Sequence, residues 1–218
     1  MGLFGKKKKP EEAKPSESIL GEYYTLEDLQ PVFCGNSGIT LSPLGAAQAF
    51  DEHYPMFIST LWKTGSNIQR FFPSLDLSTE DSVKKFMLSA CVITEQGEKF
   101  AYVITVNHIP AGMFIITTPH LNEKKIHYNH WTMDFFLFGF YEGKGVMTIA
   151  MPRMLLLLKN IGIDDIHFIV DESNTRCLNL LAKFPIDEID NSSWHNTMNG
   201  QRPRVFSCPL SIINFQHR

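Results

Sequence analysis

The run Asp134-Phe135-Phe136-Leu137-Phe138-Gly139-Phe140-Tyr141-Glu142-Gly143-Lys144-Gly145-Val146-Met147-Thr148 constrains this chain more than any other segment. Its apolar start predicts a buried strand, its glycines a turn, and the residues after Gly145 a helix. A strand that turns through glycine into a helix aims a row of backbone N–H groups at one point, with the positive end of the helix dipole behind them. Such a turn is a cradle for a phosphate or pyrophosphate. Glycine at 143 and 145 lets the main chain approach an anion with no Cβ in between.

The remaining sequence bounds what can be built around that turn. A length of 218 residues suits one sizeable domain or at most two small ones. With 44% hydrophobic residues and 17 Phe, the chain can fill a core. A net charge of -3 argues against electrostatic binding of nucleic acid or an anionic membrane. Cys34, Cys91, Cys177 and Cys208 lie far apart with no CxxC. They read as reduced thiols of a cytoplasmic protein, not as a metal or disulfide framework. The longest apolar runs are too short to span a bilayer, so no integral membrane association is expected. Residues 1–20, with Lys6 to Lys9 followed by Pro10, Glu11 and Glu12, read as a mobile basic, Pro-containing tail. Residues 21–218 are expected to form a single domain, as a monomer or homodimer.

Periodicity predicts the elements. Gly38 to Leu41 reads as a short strand, and a helix is expected after Ser42-Pro43, broken or kinked at Pro55 and continued as helix or turn over Phe57 to Trp62. Ser78, with Asp81 three residues on, signals the start of a helix carrying Val83, Phe86, Met87, Ala90 and Cys91 on one face, closed by Gln96-Gly97. Lys99 to Val106 and Met113 to Thr117 read as strands, with Pro110-Ala111-Gly112 as a turn or bulge. Ile126 to Phe138 reads as a longer strand, buried on both faces at its end. A helix over Gly145 to Ile161 follows, kinked at Pro152, which removes one hydrogen bond and crowds the Thr148 carbonyl. Ile166 to Val170, a helix from Asn174 to Lys183, and strands over Ile186 to Ile189 and Val205 to Phe215 complete a mixed α/β order.

Two signatures within this order resemble those of the GNAT superfamily of acetyl-CoA-dependent N-acetyltransferases, above all its ribosomal-protein N-terminal acetyltransferase branch. Glu142-Gly143-Lys144-Gly145-Val146-Met147 falls in register with the family's Gln/Arg-x-x-Gly-x-Gly/Ala pyrophosphate motif, departing from it at Glu142 and carrying in its last position a Met that is familiar in this branch. Asn174-Thr175-Arg176-Cys177-Leu178-Asn179-Leu180-Leu181-Ala182-Lys183 is similar to the second signature, departing at Pro185 and Ile186, where Gly and Phe are usual. The resemblance implies a mostly antiparallel central sheet, splayed where the cofactor binds and flanked by about four helices. It implies acetyl-CoA as cofactor. The diphosphate would lie on Gly143, Lys144, Gly145, Val146, Met147 and Thr148, and the pantetheine arm on Phe135, Phe136, Leu137 and Asn174. It further implies direct transfer of the acetyl group from thioester to a primary amine, on a protein N-terminus or a small molecule.

The catalytic side chains are less evident. Where many relatives carry a Tyr, seven residues after the Asn, this chain has Leu181, and where others carry a Ser it has Cys177. The Cys177 thiol reads either as a proton donor or as a small buried hydrophobe. Thr132 stands where the branch often carries a catalytic Glu and cannot act as a comparable base. Asp134, on the same strand face, reads as a site carboxylate or as half of a buried structural pair. His127 and His130 read as solvated or hydrogen-bonded. Asp164-Asp165 with His167 reads as a turn cap, without metal geometry. Trp62, Phe71, Phe72 and Trp131 read as core or as walls of an acceptor pocket. Acceptor specificity is expected from Ala46 to Phe72 and Ser192 to Arg204. A P-loop NTPase is excluded because Gly139-x-x-x-Gly143-Lys144-Gly145 has three residues, not four, between its glycines and no Ser or Thr follows Lys144. A non-catalytic acyl-CoA-binding or interaction module of the same fold is the alternative reading.

Overall fold

A computed structural model describes residues 29–45, 54–72, 75–96, 99–126, 128–191 and 202–213. The expected tail, the first part of the helix after Pro43, His127 and most of the segment Ser192 to Arg204 lie outside these residues.

Eight strands form one sheet: β1 (Val32–Phe33), β2 (Ile39–Pro43), β3 (Lys99–Val106), β4 (Ile109–Thr117), β5 (Thr132–Leu137), β6 (Asp165–Val170), β7 (Asp187–Ile189) and β8 (Arg204–Pro209). Their spatial order is β1-β2-β3-β4-β5-β6-β8-β7. Every neighbouring pair is antiparallel except β5 and β6. Five helices are described: α1 (Tyr54–Gln69), α2 (Glu80–Gln96), α3 (Pro119–Ile126), α4 (Val146–Asn160) and α5 (Thr175–Leu181).

Alternation along the central strands splits the core into two layers. Phe100, Tyr102 and Ile104 of β3, with Phe114 and Ile116 of β4, pack against α4. Ala101 of β3, with Met113 and Ile115 of β4, packs on the opposite face against α1 and α2. Helix α4 meets the sheet through Met147, Ala150, Met151, Met154, Leu155 and Leu158, a stripe at helical spacing. The helix continues through Pro152 to Asn160, as the apolar run beyond the proline required.

Several local expectations need correction. The Ile126 to Phe138 strand begins only at Thr132, because helix α3 occupies the segment before it. Thr118 and Pro119 start that helix: the Thr118 hydroxyl accepts the Leu121 N–H at 3.3 Å, and proline suits the first helical position. The turn between β3 and β4 is Asn107-His108, both at positive φ, as a two-residue hairpin turn demands. Of the two forms expected at Pro110-Ala111-Gly112, the bulge is the one present: Ala111 is its extra residue, since Ile104 pairs with Gly112 and Thr105 with Pro110. The last strand stops at Pro209, where a 3-10 turn over Leu210–Ile212 replaces it.

The cap of α2 is Thr79, one residue beyond the expected Ser78. Thr79 Oγ1 accepts the Ser82 N–H at 3.0 Å, whereas the Ser78 hydroxyl donates to Asp76 at 2.6 Å. Thr79→Ala is expected to cost about 0.5–2 kcal/mol in urea unfolding, as loss of an N-cap does elsewhere. Ser78→Ala, which leaves the cap in place, is expected to cost less.

Candidate functional site

The parallel neighbours β5 and β6 share one rung, Thr132 with His167, where the His167 N–H donates to the Trp131 carbonyl at 2.8 Å. Beyond that rung they separate. The gap opens into a cavity of about 1100 Å³ between the end of β5, the turn before α4, the start of α5 and the C-terminal half of α1.

The turn has the form its glycines suggested. Gly143 and Gly145 take φ of +72° and +78°, a region costly for residues with a Cβ. A Cβ at either position would meet no protein atom within 4 Å. Backbone conformation and the open space of the cavity therefore call for glycine here, not internal packing. The first α4 amide bonded back into the helix is Ile149, on the Gly145 carbonyl at 3.2 Å. Among the described residues, the amides from Gly143 to Thr148 donate to no backbone or side-chain acceptor. This row of unpaired donors at a helix start is an anion site in waiting.

Around the cavity, Phe135, Phe136 and Leu137 line the β5 side, Gly143, Gly145, Val146, Met147 and Thr148 the turn, and Asn174 and Cys177 the α5 side. Lys144 does not line it: its ammonium lies 3.3 Å from the centre of the Phe140 ring. Of the four aromatic candidates, Phe71 and Phe72 line the cavity. Trp62 is exposed on the outside of α1, and Trp131 stacks on Phe100 at 6.1 Å. Asn174 caps α5 by accepting the Cys177 N–H on its side-chain oxygen at 3.2 Å.

Asp134 and Cys177 come together in a crevice beside the main cavity, with Phe135 and Asn174 between the two spaces. Asp134 is half-buried; its main chain pairs with Ile115 in the sheet, while the influences on its carboxyl are burial and the charge of Lys99, with no side-chain hydrogen bond among the described residues. Burial pushes its carboxyl up to about 6, against a weaker pull from Lys99. Burial, reinforced by Asp134, pushes the Cys177 thiol up to about 12. Thr132 is buried and accepts the Asn122 side-chain amide at 3.0 Å, a structural role. His130 lies away from the cavity, its ring stacked on that of His167.

Two groups at the site escape sequence reasoning. Arg176 pairs with Glu142 across the cavity mouth, so the acid at the position of a usual Gln or Arg is neutralised. On α1, Thr64 and Asn67 face the cavity three residues apart, a polar notch in an otherwise apolar helical stripe. That notch was the available signal.

No protein-family model and no curated protein matches the sequence. Solved structures do. The ribosomal L7/L12 alpha-N-protein acetyltransferase RimL, in complex with coenzyme A, is 12% identical. The match covers 82% of this chain and 97% of that one, with a TM-score of 0.66. An acetyltransferase from Salmonella typhimurium that modifies the N-terminal serine of ribosomal protein L7/L12 is also 12% identical, covering 81% and 96%, with a TM-score of 0.63. The microcin C7 self-immunity acetyltransferase MccE, in complex with acetyl-CoA and AMP, is 15% identical, covering 80% and 93%, with a TM-score of 0.61. The splayed sheet, the glycine turn and these likenesses agree: the chain has the GNAT fold, as these solved acetyltransferases do.

Proposed function

We propose that the chain is an N-acetyltransferase that binds acetyl-CoA in the cleft between β5 and β6 and passes the acetyl group directly to a primary amine. One observation carries this reading. The amides of Gly143 to Thr148 donate to no protein acceptor among the described residues, and all of these residues but Lys144 line a cavity of about 1100 Å³ that runs on to the unpaired edge of β5. Diphosphate on the turn, with pantetheine along the β5 edge, would place the thioester near the crevice that holds Asp134. RimL and MccE, similar in fold, were solved with coenzyme A and acetyl-CoA respectively.

Asp134 is the group suited to accept the amine's proton. With its carboxyl at about 6 it is largely ionised at neutral pH. Taking a proton from an α-ammonium of pKa about 8 is uphill by roughly 3 kcal/mol, and from a lysine of pKa about 10.4 by roughly 6 kcal/mol. An α-amine is therefore the favoured acceptor class, consistent with the protein N-termini acetylated by the Rim-type neighbours. The Cys177 thiol, at about 12, is a weak donor toward a leaving thiolate of ordinary pKa about 8.5. Protonated Asp134 is the better acid for that step, and Cys177 chiefly shapes the crevice around it. Four cysteines without a disulfide suit a reducing, cytoplasmic compartment.

The pair at the cavity mouth gives a smaller effect. Arg176 is highly exposed, so Arg176→Ala is expected to weaken acetyl-CoA binding about two- to fivefold, the scale of a surface ion contact. Glu142→Gln, which frees the guanidinium for phosphate, should leave affinity equal or slightly improved. Titration calorimetry on both variants checks the pair of signs.

The reaction itself is tested by measuring free coenzyme A released from acetyl-CoA with short peptides bearing a free N-terminus, peptides blocked there but carrying lysine, and small amines. Release with free N-termini is expected. Tight acetyl-CoA binding with no release for any amine would point instead to a non-catalytic acyl-CoA module.

A further inference from the structure

On the other side of the Thr132–His167 rung from the cavity lies a second polar cluster, formed by residues distant in sequence. His130 precedes β5, while Asp165 and His167 share one face of β6. The His130 and His167 rings lie face to face, centroids 4.4 Å apart at an interplanar angle of 14°. A ring nitrogen from each and a carboxylate oxygen of Asp165 lie within 4.8 Å of one another. None of the three lines the cavity.

We propose that His130, Asp165 and His167 bind one divalent transition-metal ion of the zinc class. Two imidazoles and one carboxylate form a donor set that zinc takes with water in the fourth position. His130 is exposed, so the cluster is open to solvent for that water. The partners around the ligands support the assignment. His167 Nε2 faces Asp165 Oδ2, while its Nδ1 meets the Tyr128 hydroxyl at 2.5 Å. Asp165 Oδ1 accepts the Ser207 hydroxyl at 2.8 Å, leaving Oδ2 for the ion. A ligand whose other polar atom is held in this way is oriented in advance. The His130 loop is held as well: the Asn122 side-chain amide donates to the His130 carbonyl at 2.7 Å. His167 Nε2 and Asp165 Oδ2 lie too close for both to ligate one ion, and the stacked His130 ring aims its nitrogens past it. Binding therefore opens the His167–Asp165 hydrogen bond, turns the exposed His130 ring out of the stack and releases a proton. The bound ion would tie the loop before β5 to β6 beside the rung where the two strands still pair. The spacing of Asp164-Asp165 with His167 hid this arrangement, because the third ligand comes from another element.

The test uses the full chain, freed of metal with EDTA and titrated with zinc by calorimetry and with cobalt by visible spectroscopy. One tight equivalent and ligand-field bands of four- or five-coordinate cobalt are expected. His130→Ala, at an exposed position that leaves the core intact, should weaken zinc about 100-fold or more and remove the cobalt bands. Tyr128→Phe and Ser207→Ala should weaken it about tenfold. Cys177→Ser should change nothing, which separates this cluster from adventitious thiol binding. Zinc affinity that is equal in wild type and His130→Ala, or lost in Cys177→Ser, or no binding of either metal, would overturn the assignment and leave a hydrogen-bonded network without an ion. Acetyl-CoA affinity is a separate readout, so the two proposals fail independently.

Discussion

Asp134→Asn is expected to lower kcat/KM by about 100- to 10,000-fold, the range for loss of a general base, while acetyl-CoA affinity stays within about threefold. The same substitution should stabilise the fold at neutral pH. The Asp134 carboxyl rises from an ordinary 3.8 to about 6 because burial disfavours its charge. A carboxyl whose folded pKa lies above its unfolded value withdraws stability as pH climbs between the two, and the loss persists above them. The gap of about two pKa units corresponds to roughly 3 kcal/mol at most. Asp134→Asn removes that penalty, so its advantage in thermal unfolding should appear between pH 4 and 6 and hold to pH 8. Wild-type kcat/KM should fall as pH drops through about 6, and the residual activity of the variant should lack that limb. A buried structural carboxylate would show the reverse: lower stability on substitution, with activity lost only in proportion.

Gly145→Val is expected to weaken acetyl-CoA binding by about 100-fold or more, a change of roughly 2.7 kcal/mol or greater. At φ +78° a β-branched residue costs about 1–2 kcal/mol of backbone strain. No protein atom lies within 4 Å of the new Cβ, so the position opens onto free space, not onto packed protein. The added methyl groups would stand in the space assigned to the diphosphate. Binding should therefore suffer more than folding, and the comparison of calorimetric affinity with urea unfolding separates the two. Gly145→Ala, with the same strain and less bulk, should fall between wild type and valine in affinity.

The glycine turn and the α4 stripe were legible because both are local: apolar spacing marks the helix, and paired glycines mark a backbone that takes positive φ. Helix α3 was hidden because its eight residues carry almost no apolar periodicity. Only Thr118-Pro119 marked its start, and Ile126 blended into the strand pattern that followed. The α2 cap slipped by one residue because Ser78 and Thr79 are both good caps, and the choice was made by Asp76, which takes the Ser78 hydroxyl. The meeting of Asp134 with Cys177, the Glu142–Arg176 pair and the His130–Asp165–His167 cluster each join different elements. Such pairings depend on where β5 and β6 part, and no local pattern encodes that point.

The central claim rests on where the amides after Glu142 point. Its most direct test is a crystal structure of the chain with coenzyme A. The expected density places the diphosphate within hydrogen-bond distance of the backbone N–H groups between Gly143 and Thr148, with the pantetheine arm running along Phe135 to Leu137 between β5 and β6. A diphosphate bound elsewhere, or those amides turned inward onto protein acceptors, would contradict it.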